Sequence, residues 1–165
     1  MRDVHVAIAD YLAARNRFLA VAAEYPDLLA GNDNIIGRIG EYLAIAHLSG
    51  KGRASKKAVS KSQKGHDLLV GSIQVSVKVL TSENKKGRGL RLTDPWDELL
   101  VLDFNTHSFE YRVGHLSRAQ FNAALAENPG WSKNPIVKKT MLGIKGLIGR
   151  YGAVESGKLI VEEKK

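Results

Sequence analysis

The feature that most constrains this chain is an alternating run of apolar and polar side chains within residues 65–79. Successive side chains of a β-strand point to opposite faces of the sheet, so strict alternation assigns each residue type to one face. The apolar members of the run are Ile73, Val75, Val77 and Val79, and the polar members are Gln74, Ser76 and Lys78. We therefore predict a strand with one face against a core and a lysine with two polar groups on the other.

A short apolar segment, residues 68–70, precedes this strand and is separated from it by Gly71 and Ser72. Two such runs joined by a two-residue turn with glycine predict a β-hairpin. Pairing across the turn brings Asp67, which opens the first segment, near Lys78. An ordinary cross-strand ion pair is one interpretation of these two residues, and a functional pair is the other.

A helical segment with a carboxylate among small residues lies upstream of the hairpin. Residues 34–49 have an apolar stripe, N-cap candidates before it and Gly50 as a stop signal. Glycine inside a helix costs about 1 kcal/mol relative to alanine, so Gly37 and Gly40 indicate close packing or a functional reason. Glu41 lies beside them, and a surface carboxylate is the alternative interpretation of this residue.

Taken together, these elements resemble the PD-(D/E)xK nuclease superfamily. The shared features are a Gly-Glu-x-x-Ala helix at residues 40–44, Asp67 at a strand start, and x-x-Lys ending at Lys78 on the next strand. The helix most resembles that of small Holliday-junction-resolvase-like endonucleases. The resemblance covers roughly residues 34–104. It implies an α/β, restriction-endonuclease-like fold with an αβββαβ-type core, a mixed β-sheet flanked by helices.

The resemblance also implies a function and a set of site residues. The chain would be a metal-dependent endonuclease, a hydrolase of phosphodiester bonds in DNA that uses Mg²⁺, with Mn²⁺ as a substitute. Asp67 would bind the metal directly, Glu41 directly or through water, and the carbonyl of Val77 would complete the inner shell. Lys78 would position and help deprotonate the attacking water, or stabilise the charged transition state.

Ser76 departs from the family pattern, which has Glu or Gln two residues before the lysine. A neutral hydroxyl is a weak ligand, so another group would have to assist the metal. Gln74, one pleat earlier on the same face, is one candidate, and Glu83 and Asp94 are two others; the sequence leaves this choice open. Ser76 also favours the alternative function, a catalytically inactive nuclease-fold protein that binds nucleic acid.

Positive charge is concentrated around this candidate site. The whole chain has a net charge of +8, and residues 50–91 contain eleven Lys or Arg against two acidic residues. A polyanion is therefore the expected partner, and DNA is the polyanion that the resemblance implies. The candidate DNA-binding residues are Lys51, Arg53, Lys56, Lys57, Lys61, Lys64, Lys85, Lys86, Arg88 and Arg91.

Other interpretations of the basic stretch are weaker. A solvated loop that only aids solubility is one alternative. An acidic membrane is disfavoured because no amphipathic helix accompanies these lysines. An RNA-binding surface is disfavoured because residues 50–91 contain no aromatic side chain for base stacking. His66, beside Asp67, is interpreted either as a contact to substrate or metal or as a structural histidine.

Elements on both sides of the core complete the prediction. Residues 3–25 form an amphipathic helix whose apolar stripe suits the core or a dimer contact. We expect a homodimer, because cutting both strands of a two-fold duplex commonly uses two symmetric sites. The later elements are a buried strand over 98–104, a strand over 109–115, a capping box at 117–120, a last helix over 134–150 and a short strand at 159–161.

Length favours one domain over residues 1–165, and the resemblance implies that this domain is nuclease-like. It would comprise the N-terminal helix, a core over about 34–126, and a C-terminal helix and tail. The absence of cysteine makes a cytoplasmic location the default. The first residues lack a long apolar run, which argues against a signal peptide.

Overall fold

The computed structural model describes residues 2–24, 35–58, 65–81 and 90–159. The helices are α1 (Arg2–Glu24), α2 (Ile35–Gly50), α3 (Arg118–Glu127) and α4 (Leu147–Tyr151), with a 3₁₀ helix at Lys139–Leu142. The strands are β1 (Lys56–Lys57), β2 (Leu68–Val70), β3 (Ile73–Thr81), β4 (Leu90–Arg91), β5 (Glu98–Phe104), β6 (Glu110–Ser117), β7 (Ile136–Val137) and β8 (Ala153–Lys158). The predicted α/β class is therefore confirmed.

Six strands form one mixed sheet in the order β1-β2-β3-β5-β6-β8. Strands β3 and β5 run parallel, and the other neighbouring pairs of this sheet are antiparallel. The predicted hairpin is confirmed, because Leu68 lies opposite Val75 and Val70 opposite Ile73. Gly71 adopts φ 61°, the left-handed conformation that a tight turn needs and that glycine adopts without strain. The predicted mixed sheet flanked by helices is thus present.

One face of the sheet packs against α1 and α2. Val75 and Val77 of β3 belong to the same apolar core as the buried residues of both helices. The closest approach of α2 to the sheet is at Gly40, where a Cβ would lie 2.2 Å from a methyl carbon of Val79. The expectation that a helix glycine permits close packing is confirmed at Gly40, whereas Gly37 has open space around it.

The opposite face is covered by α3, α4 and the segments around them. Leu80 of β3 packs there in a second apolar core with Trp96 and Phe121. The predicted capping box is confirmed at the start of α3, since Ser117 Oγ accepts the Gln120 N–H and Gln120 Oε1 accepts the Ser117 N–H. Because side chains alternate along β3, Gln74, Ser76 and Lys78 project toward this second face.

The long helix α1 is only partly buried. Ile8 and Leu12 of its N-terminal half pack into the first core, whereas Phe18 and Val21 of its C-terminal half are exposed. The predicted start of this helix agrees with the structure to within one residue, and residue 25, its predicted end, lies outside the described residues. Among the helices that the structure describes, none is both long and apolar enough to cross a membrane.

The helix predicted over residues 134–150 is wrong. This segment instead contains β7, the 3₁₀ helix and the short α4. Ile136 and Val137 are β-branched residues, and they pair with β4 rather than continue a helix. At Gly146 and Gly149 a Cβ would lie 2.2 and 2.0 Å from backbone oxygens of earlier residues. A side chain at either position would clash with the backbone, so glycine permits the tight backbone packing of this segment.

The strand predicted at residues 159–161 also differs from the structure. The last described strand, β8, ends at Lys158 and pairs with β6. Leu159 follows the strand, is buried, and donates its N–H to the carbonyl of Phe109 at 3.0 Å. Residues 160 and 161 lie outside the described part of the chain.

Candidate active site on the β2–β3 hairpin

Asp67 is fixed by its own backbone and by the backbone of β3. Its N–H donates to the carbonyl of Val75 at 2.9 Å, and its carbonyl accepts the N–H of Ala58 at 3.0 Å. Its carboxylate Oδ2 accepts the N–H of Val77 at 2.7 Å. The acid of the predicted site is therefore held against the β3 backbone between Ser76 and Lys78, while Oδ1 has no hydrogen-bond partner among the described residues.

Two buried side chains near Asp67 contain polar atoms without partners. Ser76 is completely buried, and its hydroxyl has no hydrogen bond within the described structure. His66 is also buried, and neither of its ring nitrogens has one. An unpaired buried polar group typically costs about 1–3 kcal/mol, and native proteins contain few of them. These unpaired polar atoms can therefore form hydrogen bonds with a ligand.

Lys78 is half-buried on the same face of β3 as Ser76. It forms no ion pair with Asp67 and has no acidic partner among the residues that the structure describes. The interpretation of Asp67 and Lys78 as an ordinary cross-strand ion pair is therefore wrong. A half-buried ammonium without a counter-ion is available to an anionic ligand.

Glu41 lies on α2 and forms an ion pair with Lys57 of β1, with Oε2 and Nζ 2.6 Å apart. Lys57 directly precedes Ala58, which donates to Asp67. Glu41 and Asp67 are thus connected to consecutive residues, Lys57 and Ala58, although no contact joins the carboxylates of the two acids. Within the described ranges, no group of three His, Asp or Glu side chains is arranged to hold a metal ion.

The residues considered as substitutes for the missing carboxylate have different surroundings. The backbone of Gln74 exchanges hydrogen bonds with Asp97, whose Oδ2 accepts the Gln74 N–H at 2.8 Å. Asp94 is exposed and forms an ion pair with Arg118. Glu83 lies outside the described residues. Sequence analysis missed Asp97. The signal that could have found it is an acid directly before the predicted buried strand β5. Because β5 is the parallel neighbour of β3, both strands start at the same sheet edge.

The predicted DNA-binding residues fall into three groups. Lys51, Arg53 and Lys57 are already in ion pairs with Glu155, Glu98 and Glu41, respectively. Lys56 and Arg91 are exposed and have no such partner among the described residues. Lys61, Lys64, Lys85, Lys86 and Arg88 lie outside the described part of the chain.

A second polar cluster, which sequence analysis missed, surrounds Glu98 at the start of β5. Arg53 donates to both carboxylate oxygens at 2.8 and 3.0 Å, and His115 Nε2 lies 3.0 Å from Oε2. Burial raises the pKa of Glu98, but hydrogen bonds from Arg53 and the nearby charges of His115 and Arg53 hold this pKa below its ordinary range. The carboxylate is therefore ionised and fully paired, which indicates a structural connection between the end of α2 and the sheet.

Magnesium is the metal that the resemblance implies, and oxygen atoms of the kind that bind it are present on the hairpin. Mg²⁺ is usually bound through one or two carboxylates, with waters and substrate phosphates as the remaining ligands. Asp67 presents one carboxylate oxygen without a described partner, and the hydroxyl of Ser76 is unpaired, whereas Glu41 lies on α2, which packs on the opposite face of the sheet from Ser76. Asp67 is therefore the carboxylate here that fits a magnesium ion held largely by waters and a phosphate substrate.

Comparisons of this chain with protein-family models and with curated proteins find no match. The interpretation of the site therefore depends on its own residues and contacts.

Proposed function

We propose that this chain is a metal-dependent endonuclease of the PD-(D/E)xK type that hydrolyses phosphodiester bonds in DNA. The observation behind the proposal is the Asp67 carboxylate, whose Oδ2 accepts the N–H of Val77, the residue before Lys78 in β3, while Lys78 has no described acidic partner. A fixed acid against this strand and an unpaired, half-buried cation on the same strand are two groups that a metal-bound phosphate would need. The restriction-endonuclease-like refinement of the α/β fold is part of the same proposal.

Each residue has a separate task in this proposal. Asp67 would hold Mg²⁺ directly, with the Val77 carbonyl as a further oxygen ligand, and Glu41, which α2 presents from the other face of the sheet, would bind it directly or through water. The ion, when bound, neutralises phosphate charge and promotes formation of hydroxide from water. Lys78 would orient the attacking water and stabilise negative charge that develops on the phosphate. Glu41 would have to release Lys57, an exposed ion pair that contributes only about 0–1 kcal/mol.

A non-cutting, DNA-binding protein is the second candidate. Two observations favour it: Ser76 stands where the family has a carboxylate or amide, and no three acidic or histidine side chains converge in the described chain. Ser76→Glu separates the two functions. Because position 76 is completely buried, a carboxylate there should lower the melting temperature of the metal-free protein, and Mg²⁺ should restore it if the site binds metal.

Cleavage assays with Mg²⁺ or Mn²⁺ on duplex, single-stranded and branched DNA test the first candidate. Asp67→Asn, which removes the charge and keeps the shape, should slow cleavage at least about a hundredfold. Glu110→Gln, at an exposed acid of β6, is the matched control and should cleave like the wild type. Unchanged cleavage by Asp67→Asn would mean that the active site lies elsewhere. DNA binding without any cleavage, with activity restored by Ser76→Glu, would support the second candidate.

We also propose that the protein acts as a homodimer through α1. The C-terminal half of this helix exposes Phe18, which is 54% accessible, together with Leu19 and Val21. Two copies would supply the two sites that a symmetric duplex requires. Sedimentation at tens of micromolar, with and without DNA, should show a dimer, and Phe18→Ser should weaken it. A monomer under both conditions would contradict this assembly.

A further inference from the structure

An open groove lies beside the segment that connects α3 to α4. Its apolar lining comprises Phe121, Trp131, Pro135, Met141 and Leu147, and its volume is about 720 Å³. Ser132, Thr140 and Lys145 add polar atoms to the lining. Small-molecule sites typically have volumes of about 300–1,000 Å³ and this mixture of apolar walls and few polar groups. The groove is therefore large enough for a flat heterocycle.

Trp131 is presented at this groove by a set of aromatic and polar contacts. Its indole packs perpendicular to the ring of Tyr151, with ring centroids 6.2 Å apart. Tyr151 is itself fixed, because its hydroxyl donates to Glu127 at 2.7 Å and accepts from Asn128 at 2.9 Å. The Trp131 side chain nevertheless remains 38% exposed. An exposed, oriented indole is a surface on which another aromatic ring can stack.

The groove lies in a second basic stretch, which sequence analysis did not identify. Residues 128–154 contain five Lys or Arg and no Asp or Glu. The preceding residues 92–127 have six acids against two basic residues, which conceals this excess in the total charge. Lys133, Lys138 and Lys145 are exposed and have no ion-pair partner among the described residues. Lys145 lines the groove, Lys133 directly follows the lining residue Ser132, and Lys138 lies in the same basic stretch. These cations and the apolar walls complement a ligand with both anionic and flat apolar parts.

Backbone pairing connects this stretch to the basic residues 50–91. Arg91 of β4 lies opposite Ile136 of β7, and the N–H of Leu92 donates to the carbonyl of Pro135 at 3.0 Å. Val137 of β7 also shares the second apolar core with Leu80 of β3. The groove is therefore on the side of the sheet toward which Lys78 projects.

We propose that this groove binds an unpaired nucleobase of a DNA strand, stacked on Trp131, with the adjacent phosphates on Lys133, Lys138 and Lys145. The proposal rests on the proposed function only in taking DNA as the polymer, and it does not require hydrolysis. Stacking on an aromatic side chain tolerates every base because each base has a π-face, and phosphate contacts add affinity that depends on salt. An apolar peptide would leave the three lysines unused.

Binding of paired and partly unpaired DNA in EDTA tests the proposal without cleavage. The probes are one blunt duplex and the same duplex extended by five unpaired thymidines, each with a fluorescent label. Wild-type protein should bind the extended duplex more tightly. Trp131→Leu, which keeps apolar volume but removes the π-face, should weaken that binding about tenfold and change blunt-duplex affinity less than about twofold. Trp131→Phe should retain most of the preference.

The lysines provide an independent measurement. Lys145→Ala should reduce the slope of log Kd against log salt for the extended probe by about 0.7, the contribution of one single-strand phosphate contact. Lys158→Ala is the matched control, because Lys158 is an exposed lysine of β8 next to Glu110. It should leave the slope unchanged. Equal slopes in wild type and Lys145→Ala would remove this lysine from the proposed contact.

Tryptophan fluorescence of the unmodified protein supplies an independent readout, for which Trp131→Phe defines the residual emission of Trp96. The two tryptophans differ in exposure, since Trp96 is 3% exposed. A thymidine oligonucleotide should therefore quench Trp131 and leave the Trp96 signal, which is the residual emission in Trp131→Phe. Absence of quenching at saturating oligonucleotide would overturn the proposal. Equal quenching by thymidine monophosphate at matched nucleotide concentration would assign the groove to free nucleotides instead.

The binding and cleavage measurements distinguish an error in the groove proposal from an error in the proposed function. If the extended and blunt duplexes bind equally and Trp131→Leu affects neither, the groove proposal is wrong while DNA binding stands. If Asp67→Asn cleaves normally but the thymidine preference depends on Trp131, the active-site assignment is wrong while the groove proposal stands. If neither duplex nor oligonucleotide binds, both are wrong.

Discussion

Two polar clusters on the same six-stranded sheet differ in how completely their groups are paired. At the start of β5, both oxygens of Glu98 are paired by Arg53, and His115 lies beside one of them. On the β2–β3 hairpin, by contrast, the hydroxyl of Ser76 has no partner and the ammonium of Lys78 has no described counter-ion. Both clusters are largely shielded from solvent, so the difference is one of pairing rather than of exposure.

This difference in pairing distinguishes a cluster with a structural role from a cluster that is available to a ligand. A buried polar network in which every group is paired makes its surroundings rigid, whereas an incomplete one lowers stability. Proteins keep such unfavourable groups mainly where a ligand or a reaction needs them. We therefore assign the Glu98 cluster to stability and propose a functional role for the hairpin cluster. Substitutions in the two clusters should change different measured quantities.

The largest expected effect is on cleavage, through Lys78→Met. Loss of the ammonium should slow phosphodiester hydrolysis about 10²–10³-fold, as loss of a group that stabilises transition-state charge typically does. Methionine replaces the aliphatic stem, so the free energy of unfolding should change by less than about 1 kcal/mol. Single-turnover cleavage and urea unfolding of the same preparation measure the two quantities.

Lys158→Met is the matched control for this substitution. Lys158 is exposed, 3.8 Å from Glu110, and distant along the sheet order from β3. It should cleave and unfold like the wild type. Destabilisation of Lys78→Met by several kcal/mol, with cleavage unchanged, would make the hairpin lysine structural and remove the distinction between the clusters.

The second-largest expected effect is a loss of stability in Glu98→Gln. The amide cannot accept two charge-assisted hydrogen bonds from Arg53 and leaves that guanidinium partly unpaired, which should cost about 2–4 kcal/mol. Glu155→Gln, at an exposed carboxylate paired with Lys51, should cost less than about 1 kcal/mol. Urea unfolding compares the two variants. Equal effects would show that pairing at Glu98 is no stronger than at the surface.

The parts of the molecule that the sequence predicted are those determined by local pattern. The hairpin follows from alternation around Gly71, and the start of α3 follows from the side chains of Ser117 and Gln120. Both depend on residues close together in the chain. The carboxylate of Asp67 likewise accepts a backbone N–H of the neighbouring strand, while the functional roles given to the site residues stay predictions.

The remaining features depend on partners that are distant in sequence. Residues 134–150 have a helical apolar pattern, but pairing of β7 with β4 and close backbone contacts at Gly146 determine their structure. The Glu98 cluster joins α2, β5 and β6, and neither Arg53 nor His115 has a local motif that indicates this contact. Tertiary pairing of this kind leaves no periodicity in the sequence.

Stability at acid pH should differ between wild type and Glu98→Gln. The pKa of Glu98 is lower in the folded protein than in the unfolded chain, so the unfolded state binds more protons as the pH falls. The stabilisation is complete above the unfolded pKa, about 4.3, and is lost as the pH falls through the folded pKa. Wild type should therefore lose its advantage over Glu98→Gln below about pH 4. An advantage that stays constant to pH 2 would contradict the ionised pair.

The smallest effect should be opposite in sign for the same chemical change at two serines. Ser76→Ala removes an unpaired buried hydroxyl and should stabilise the protein by about 1 kcal/mol. Ser117→Ala removes the hydroxyl that accepts the Gln120 N–H in the capping box and should destabilise it by about 1 kcal/mol. Urea unfolding near neutral pH, without metal, measures both. If Ser76→Ala is instead destabilising by as much as Ser117→Ala, the Ser76 hydroxyl is paired in solution, and the hairpin cluster is as structural as the Glu98 cluster.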